Sequence, residues 1–243
     1  MTAITFIAGG SKGLGLAMLQ RFQKAGHQVI EFSRSGDGKT HLNCDMSQPD
    51  EARQVFKSAF NNAAKDPELR SVNLIINAAT LTPFGELAQY ATAEMEQHLT
   101  INIHSTMTLL HEFMTAFQDR AIGKGLAYMS SGAARRAIPG LGIYSASKAF
   151  FERFIDTLAT EQQSQSNPVK CLIINPGVMN TDMQAEIRQQ HVDDFPMLPW
   201  WQELHDKGQL ADPVDVAEVC YQLISESGEN GGYYTAQEYL NKP

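Results

Sequence analysis

Residues 3–33, AITFIAGGSKGLGLAMLQRFQKAGHQVIEFS, decide the fold. An apolar run, residues 3–8, stops at a loop that contains Gly9, Gly13 and Gly15. A helical pattern of apolar residues follows, and the chain then returns to a strand-like pattern. The stretch therefore predicts a strand, a glycine-rich loop, a helix and a second strand, which is the first unit of a parallel α/β sheet.

The glycine loop is suited to binding the phosphates of a dinucleotide. Glycine lets a phosphate oxygen approach the backbone closely, and the N-terminus of the next helix offers free N–H groups and a positive dipole end. The spacing is G-x-x-x-G-x-G, and a glycine-rich turn without a ligand is the alternative. The residues of this loop that we predict to bind cofactor are Gly9, Ser11, Lys12, Gly13, Leu14 and Gly15.

The end of the second strand indicates which nicotinamide cofactor binds. An NAD site usually offers a carboxylate to the ribose hydroxyl, whereas a 2′-phosphate needs cations. Here the strand runs into Ser33-Arg34-Ser35, and Lys12 lies in the glycine loop, so we predict NADP. Glu31 is a complication for this prediction, because an acid in this region would suit NAD, but we place it within the strand. The alternative is that Lys12 and Arg34 are solvated surface charges.

Two further segments are predicted to contact the cofactor. Asp45 and Met46 follow a third short strand, where Asp45 either binds an adenine amino group or caps the helix that begins at Pro49. The wholly apolar run 72–76 predicts a buried parallel strand. It leads to the next predicted cofactor residues, Asn77, Ala78 and Ala79.

A long helix is predicted over about residues 93–118. It carries Asn102 between Ile101 and Ile103. A polar amide on an apolar helix face needs partners, so Asn102 is either a satisfied core residue or part of a polar relay at the site.

The chemistry is predicted to lie in the next segment. The run 125–129 predicts a strand that ends at Ser130-Ser131, and a helix then begins near Tyr144-x-x-x-Lys148. Residues four apart share a helix face, and a nearby ammonium lowers the pKa of a phenol. We therefore expect Lys148 to lower the pKa of Tyr144 into a useful range, although the same spacing also fits an ordinary surface pair.

The last third of the chain predicts two more strands, at residues 169–174 and within 231–240. Between them, residues 180–211 are expected to be irregular and to form either a lid over a ligand cleft, anchored by Phe195, Trp200 and Trp201, or a packed surface excursion. Asp212-Pro213 predicts a helix start. Strands and helices alternate throughout, which predicts an α/β fold: one domain, residues 1–243, with a doubly wound parallel sheet.

Composition excludes several classes of protein. The chain has 243 residues, 43% of them hydrophobic, and a formal net charge of −8, which argues against nucleic-acid binding. It has no apolar run long enough to span a membrane and no basic leader, so we expect neither a membrane segment nor a signal peptide. Cys44, Cys171 and Cys220 are scattered, which fits reduced thiols in the cytoplasm rather than disulfides or a metal site.

Six motifs in order resemble the short-chain dehydrogenase/reductase family over essentially the whole chain. They are residues 9–15, residues 77–79, Asn102, Ser131, residues 144–148 and residues 176–181. The interval of 13 residues from Ser131 to Tyr144 fits the family pattern. Two scaffold positions depart from it: the usual Thr before the glycine loop is Ala8, and the usual NNAG reads Ile76-Asn77-Ala78-Ala79.

The resemblance implies a Rossmann-like fold, an NADP cofactor and a role for each motif. Tyr144 would protonate a carbonyl oxygen, Ser131 would orient the substrate, Lys148 would hold the nicotinamide ribose, and Asn102 would support a water relay to Lys148. The loop that would lie against the nicotinamide supplies Pro176, Gly177, Val178 and Thr181. The family resemblance also implies a homodimer or homotetramer.

A finer resemblance leads to the sepiapterin reductase branch and its bacterial benzil reductase relatives. It is carried by residues 175–184, residues 203–210 and the short C-terminal tail. Sepiapterin reductases are expected to hold the pterin with a carboxylate near the C-terminus, where this chain has Thr235, with Glu238 slightly later. A reductase of carbonyls or vicinal diketones is therefore preferred over a pterin reductase.

Two hypotheses of another kind stay open. One is a binding protein that senses the dinucleotide, although such relatives are expected to lose the catalytic tyrosine or lysine. The other is an NAD-dependent alcohol dehydrogenase, which would bind NAD more tightly than NADP.

Overall fold

Seven parallel strands form one sheet in the part of the chain that this computed structural model describes, residues 2–36 and 38–240. The strands are β1 (Thr2–Ala8), β2 (Gln28–Ser33), β3 (His41–Asn43), β4 (Leu69–Ile76), β5 (Gly123–Met129), β6 (Lys170–Asn175) and β7 (Gly232–Thr235). Their order across the sheet is β3-β2-β1-β4-β5-β6-β7. The chain starts in the middle and winds outward to both edges, so the predicted doubly wound sheet is confirmed.

Helices cover both faces of this sheet. They are α1 (Gly13–Lys24), α2 (Pro49–Ala64), α3 (Thr92–Leu99), α4 (Thr106–Phe117), α5 (Gly142–Gln162), α6 (Asp182–Arg188), α7 (Leu198–Asp206), α8 (Pro213–Gln222) and α9 (Gln237–Leu240). None of the helices within the described residues is long and apolar enough to cross a membrane.

Alternating strand residues separate two apolar cores, as expected for a sheet buried on both faces. Phe6 of β1 points to the face covered by α2, α4 and α5, where it meets Phe60 edge to face with ring centroids 4.8 Å apart. Its neighbour Ile7 points to the other face, where it packs with Phe22 of α1 and Val216 of α8. The two cores hold the strand ends, and therefore the loops beyond them, in fixed positions.

The long helix predicted over residues 93–118 is interrupted. A π-helical turn, Thr100–Ser105, separates α3 from α4 and contains Asn102. Such turns are common at functional sites. Hydrophobic periodicity does not reveal the extra residue in the turn, because apolar side chains continue on both sides of it.

Residues 180–211 are not irregular, contrary to expectation. They contain α6 and α7, and the side chain of Phe195, between these helices, is completely buried. Both helices are too short to show a clear helical period, and they gain stability from packing onto Leu81, Leu141 and Tyr144 rather than from their own sequence.

Two helix starts test the capping predictions. Asp212 caps α8 as predicted, accepting a hydrogen bond from the backbone N–H of Val214 at 2.8 Å. Asp45 does not cap α2, because the residue before that helix is Gln48. The Asp45 carboxylate accepts instead from the backbone N–H of Ser47, at 2.9 Å, within the preceding turn.

Candidate active site

A cleft of about 1110 Å³ opens at the carboxyl ends of the strands. It lies where the strand order reverses, with β2 on one side of β1 and β4 on the other, which is where ligands bind in open α/β sheets. Its size exceeds the upper end, about 1,000 Å³, of ordinary small-ligand pockets. The predicted site residues that line it are Gly9, Ser11, Lys12, Gly13, Leu14, Arg34, Asp45, Met46, Asn77, Ala78, Ala79, Ser131, Tyr144, Lys148, Pro176, Gly177, Val178 and Thr181.

The glycine loop forms a cradle whose walls are backbone. Gly9 has a φ of +79°, and a Cβ added there would lie 2.9 Å from the backbone of Ala78. The first residue before α1, Lys12, provides no side-chain cap, so the first N–H groups of the helix are free for a phosphate. The loop therefore fits the pyrophosphate of a dinucleotide.

Gly15 does not line the cleft, in contrast to its predicted role in binding cofactor. A Cβ at this position would lie 1.8 Å from the carbonyl oxygen of Gly9 and 2.9 Å from the amide nitrogen of Asn77. Gly15 therefore lets α1 pack tightly beneath the loop, and it shapes the cradle without facing the ligand.

The outer end of the cleft is cationic. Arg34 is exposed on its wall, and the Lys12 ammonium lies 3.7 Å from the carboxylate of Asp182 with both side chains largely in solvent. Glu31 lies inside β2, as predicted, and is only 2% exposed. Its Oε1 atom accepts a hydrogen bond from Nδ1 of His41 at 2.5 Å, which fixes the carboxylate outside the cleft.

Three predicted catalytic side chains meet on the inner wall of the cleft. Tyr144 and Lys148 lie one turn apart on the buried face of α5, and Ser131 follows β5. The Lys148 ammonium lies 5.7 Å from the centre of the Tyr144 ring and donates a hydrogen bond to the carbonyl oxygen of Met129 at 2.8 Å. Ser131 lies close enough to the Tyr144 phenol to lower its pKa. The surface-pair alternative is therefore wrong.

The protonation of this group differs from the expectation. Burial raises the pKa of Tyr144 to about 12, and the neighbouring Ser131 hydroxyl offsets only part of this rise. Burial also lowers the pKa of Lys148 to about 8. The attraction between ammonium and phenolate, which the spacing predicts, is outweighed here by the loss of solvent, which penalises both charged forms.

Asn102 does not line the cleft and does not contact Lys148. Its amide donates to the carbonyl oxygen of Thr80 and accepts from the N–H of the same residue, both at 2.9 Å. It also donates to Nε2 of His98 at 2.9 Å. Asn102 therefore fixes Thr80, which is part of the cleft wall.

His98 is a residue that sequence reasoning missed. It is fully buried, its Nδ1 donates to the carbonyl oxygen of Thr82 at 2.8 Å, and burial lowers its pKa, so the ring is neutral. The spacing in the sequence could have indicated it, because His98 lies four residues before Asn102 on the predicted helix and shares its face.

The other end of the cleft is bounded by α6 and α7 and is mostly apolar. The apolar side chains on this wall are Leu81, Ile138, Leu141, Met183, Ile187, Met197, Trp200, Trp201 and Leu204. Of the three predicted anchors, Phe195 and Trp201 pack into this wall, but Trp200 is 40% exposed. Thr235 and Gln237, from the C-terminal tail, also line the cleft, whereas Glu238 is exposed outside it.

The sheet, the cradle and the inner wall together have the geometry of one known enzyme family, and a sequence profile for short chain dehydrogenases matches residues 3–192. The chain belongs to the short-chain dehydrogenase family. It is therefore an oxidoreductase acting on CH–OH and C=O groups. Among the described residues, no group of three or more His, Cys, Asp or Glu side chains could hold a metal ion.

Several members of this family are similar to the chain over most of its length. Benzil reductase ((S)-benzoin forming) of Bacillus subtilis is 30% identical over 239 residues, which cover 96% of this chain and 98% of the relative. Sepiapterin reductase of Bos taurus is 32% identical over 188 residues, which cover 74% of this chain and 68% of the relative. A short-chain dehydrogenase/reductase structure from Saccharomyces cerevisiae shares the fold with a TM-score of 0.81, at 23% identity, covering 99% and 97% of the two chains.

Proposed function

We propose that this protein is an NADPH-dependent carbonyl reductase whose preferred substrates are vicinal diketones of the benzil type. The observation that carries the proposal is the meeting of Ser131, Tyr144 and Lys148 on the wall of a dinucleotide-sized cleft. The cations Lys12 and Arg34 at the outer end of the cleft suit a 2′-phosphate. The Glu31 carboxylate, which would repel that phosphate, is bound by His41 and does not line the cleft.

The roles of the side chains follow from their chemistry. When bound, the nicotinamide would supply the hydride that reduces the carbonyl carbon. The Ser131 hydroxyl hydrogen-bonds the carbonyl oxygen, and the Tyr144 phenol gives that oxygen its proton, which completes the alcohol. The raised pKa of Tyr144 keeps the phenol protonated at neutral pH, so the proton that the reduction needs is present on this side chain. Lys148 would bind the ribose hydroxyls.

The apolar wall and the relatives support an aromatic diketone as the substrate. The side chains that face the substrate end are mainly aliphatic and aromatic, and such a wall binds phenyl groups by removing their surface from water. Benzil reductase is one of the relatives that covers nearly the whole chain. A panel of benzil, simple ketones and aldehydes, assayed by oxidation of NADPH, tests the proposal; failure to reduce any of them would refute it.

A sepiapterin reductase is the second candidate, favoured by the bovine relative. Glu238 does not face the cleft, and Thr235 stands there instead, so the chain lacks an obvious carboxylate for a pterin at this position. Comparing kcat/KM for sepiapterin and benzil separates the two; a higher value for sepiapterin would reverse our assignment.

The remaining hypotheses have direct tests. A dinucleotide sensor would bind NADPH without reducing any carbonyl, and an NAD-dependent dehydrogenase would bind NAD more tightly than NADP in a titration of both. We further propose a cytoplasmic homodimer or homotetramer. Light scattering that gives the mass of a single chain, 26.9 kDa, would contradict the oligomer.

A further inference from the structure

Consecutive residues at the end of β5 contact side chains on successive turns of the buried face of α5. Tyr144, Lys148 and Glu152 follow one another at intervals of four on α5, and each contacts one residue of the segment Met129–Ser131. The first residue of the segment accepts from Lys148 at 2.8 Å, and the second donates its hydroxyl to Glu152 at 2.6 Å. The third, Ser131, lies close enough to Tyr144 to lower the pKa of its phenol. Glu152 is therefore the third member of a series whose other two members form the catalytic group.

The Glu152 carboxylate is buried and fixed at both oxygens. Glu152 is only 7% exposed. The hydroxyl of Ser130 donates to one oxygen, and Nε of Arg135 donates to the other at 2.8 Å. Both donors, one of them a guanidinium, stabilise a negative charge on this carboxylate.

Arg135 is itself held by stacking. Its guanidinium lies 3.5 Å from the centre of the Tyr233 ring on β7. The negative charge of Asp156 on α5 also attracts it and contributes to its raised pKa. Half of its side chain is in solvent. Removing Arg135 uncovers one face of the Tyr233 ring and leaves the negative charge of Glu152 less neutralised.

Apart from the carbonyl oxygen of Met129, no hydrogen-bond acceptor meets the Lys148 ammonium among the described residues. Glu152 is the charged residue that raises its pKa. The other titratable groups around it are neutral: Tyr144 on its own helix, Tyr128 of β5 with its ring centre 5.0 Å away, and His98 of α3, whose pKa burial lowers.

We propose that Glu152 is a positioning residue whose fixed carboxylate keeps the buried Lys148 side chain in its ammonium form beside the cleft. The inference rests on the proposed function for the catalytic role of Lys148, but the electrostatic link itself concerns the protein without cofactor. Glu152 does not line the cleft, so it would act through Lys148.

Two substitutions of opposite sign test the link. Glu152→Gln removes the negative charge, and the Lys148 pKa is expected to fall by about one unit. Arg135→Gln leaves the negative charge less neutralised, and the Lys148 pKa is expected to rise. Both variants lose the contact between Glu152 and Arg135. If that contact had only a structural role, the Lys148 pKa would move in the same direction in both variants.

The direct readout is an NMR titration of ¹³C-labelled lysine side chains in the protein without cofactor, with the Lys148 signal assigned from Lys148→Met. Midpoints that move down in Glu152→Gln and up in Arg135→Gln support the proposal. Unchanged midpoints, or midpoints that move in the same direction, overturn it. Near-ultraviolet circular dichroism verifies that both variants are folded, and Arg135→Gln still decides the sign if Glu152→Gln unfolds.

The kinetic readout is the alkaline limb of kcat/KM for benzil with NADPH. In Glu152→Gln the Lys148 pKa is about one unit lower, so kcat/KM begins to fall at a lower pH. At pH values above both pKa values, kcat/KM is about tenfold lower than in the original protein, while near pH 6 the two proteins have similar activity. A loss of equal size at every pH contradicts the proposal. If the original protein reduces no carbonyl at all, the proposed function fails, and the titration still decides the role of Glu152.

Discussion

At the scale of single residues, burial rather than spacing decides how the catalytic group is charged. The four-residue interval between Tyr144 and Lys148 correctly predicts that they share a face. It does not predict that complete burial raises the pKa of the phenol to about 12 and lowers that of the amine to about 8. Solvent exclusion depends on α6 and α7 packing over the site, and these helices come from a distant part of the sequence.

Ser131→Ala is expected to reduce kcat by about 10²–10³-fold, since a donor to the developing negative charge is lost. The affinity for NADPH should stay the same, because Ser131 belongs to the substrate side. Steady-state rates with benzil and a fluorescence titration of NADPH measure the two effects. Ser164→Ala, an exposed serine after α5, is the control. A kcat within twofold of the original protein would exclude Ser131 from the chemistry.

Arg34→Glu is expected to weaken NADPH binding at least tenfold and to leave NADH binding nearly unchanged. A hydrogen bond to a charged group contributes about 1.5–3 kcal/mol, and the substitution also places a negative charge beside the 2′-phosphate. Fluorescence titrations with both cofactors measure the change. Arg70→Glu, at the opposite, amino-terminal end of β4, controls for the change in net charge, and an equal loss in both variants would contradict the assignment.

At the scale of elements, the strands were more predictable than the helices over the cleft. Uninterrupted apolar runs such as residues 72–76 identify buried parallel strands, although β4 begins earlier, at Leu69, where polar residues enter the sheet. The π-helical turn around Asn102 and the two short helices α6 and α7 were missed. Their conformations depend on tertiary hydrogen bonds and packing, which a local pattern does not encode.

Gly15→Ala is expected to lower the free energy of unfolding by about 3 kcal/mol or more. The new Cβ would lie 1.8 Å from the carbonyl oxygen of Gly9, and neither backbone can yield without moving α1. Urea denaturation measures the loss. Gly123→Ala is the matched control, because a Cβ there meets its nearest atom at 3.4 Å. Equal stabilities of the two variants would show that α1 does not pack on the loop as described.

Asp212→Ala is expected to lower the free energy of unfolding by about 1 kcal/mol, the usual value of an N-terminal cap. The Asp212 carboxylate accepts from the N–H of Val214, and it lies outside the catalytic group. Denaturation and steady-state kinetics together test this. A large loss of kcat with unchanged stability would contradict a purely local role.

At the scale of the whole molecule, most of the predicted site residues meet in one cleft because a parallel sheet brings all its strand ends to one edge. The ends of β1, β4, β5 and β6 all contribute predicted residues to a single cleft. The sequence did not predict Thr80, in the loop after β4, Gln237, in the C-terminal tail, or His98, which lies in α3 and bonds Asn102. Their placement follows from the completed fold and not from a motif.

NADPH is expected to stabilise the folded protein more than NADH at the same concentration. A ligand that binds only the folded state at 100 times its Kd stabilises it by about 2.7 kcal/mol, and the cations at the outer end of the cleft favour the extra phosphate. Thermal unfolding with each cofactor measures the difference. A larger shift with NADH would identify an NAD-dependent enzyme instead.

The most direct measurement is the rate of NADPH oxidation with benzil by Tyr144→Phe, together with NADPH binding by the same variant. The account predicts a rate lower by about 10²–10⁴-fold, the contribution of one general acid, while NADPH binds as tightly as before. Turnover that persists at the original rate would contradict the account, because the phenol at the end of the cleft would then have no part in reducing the carbonyl.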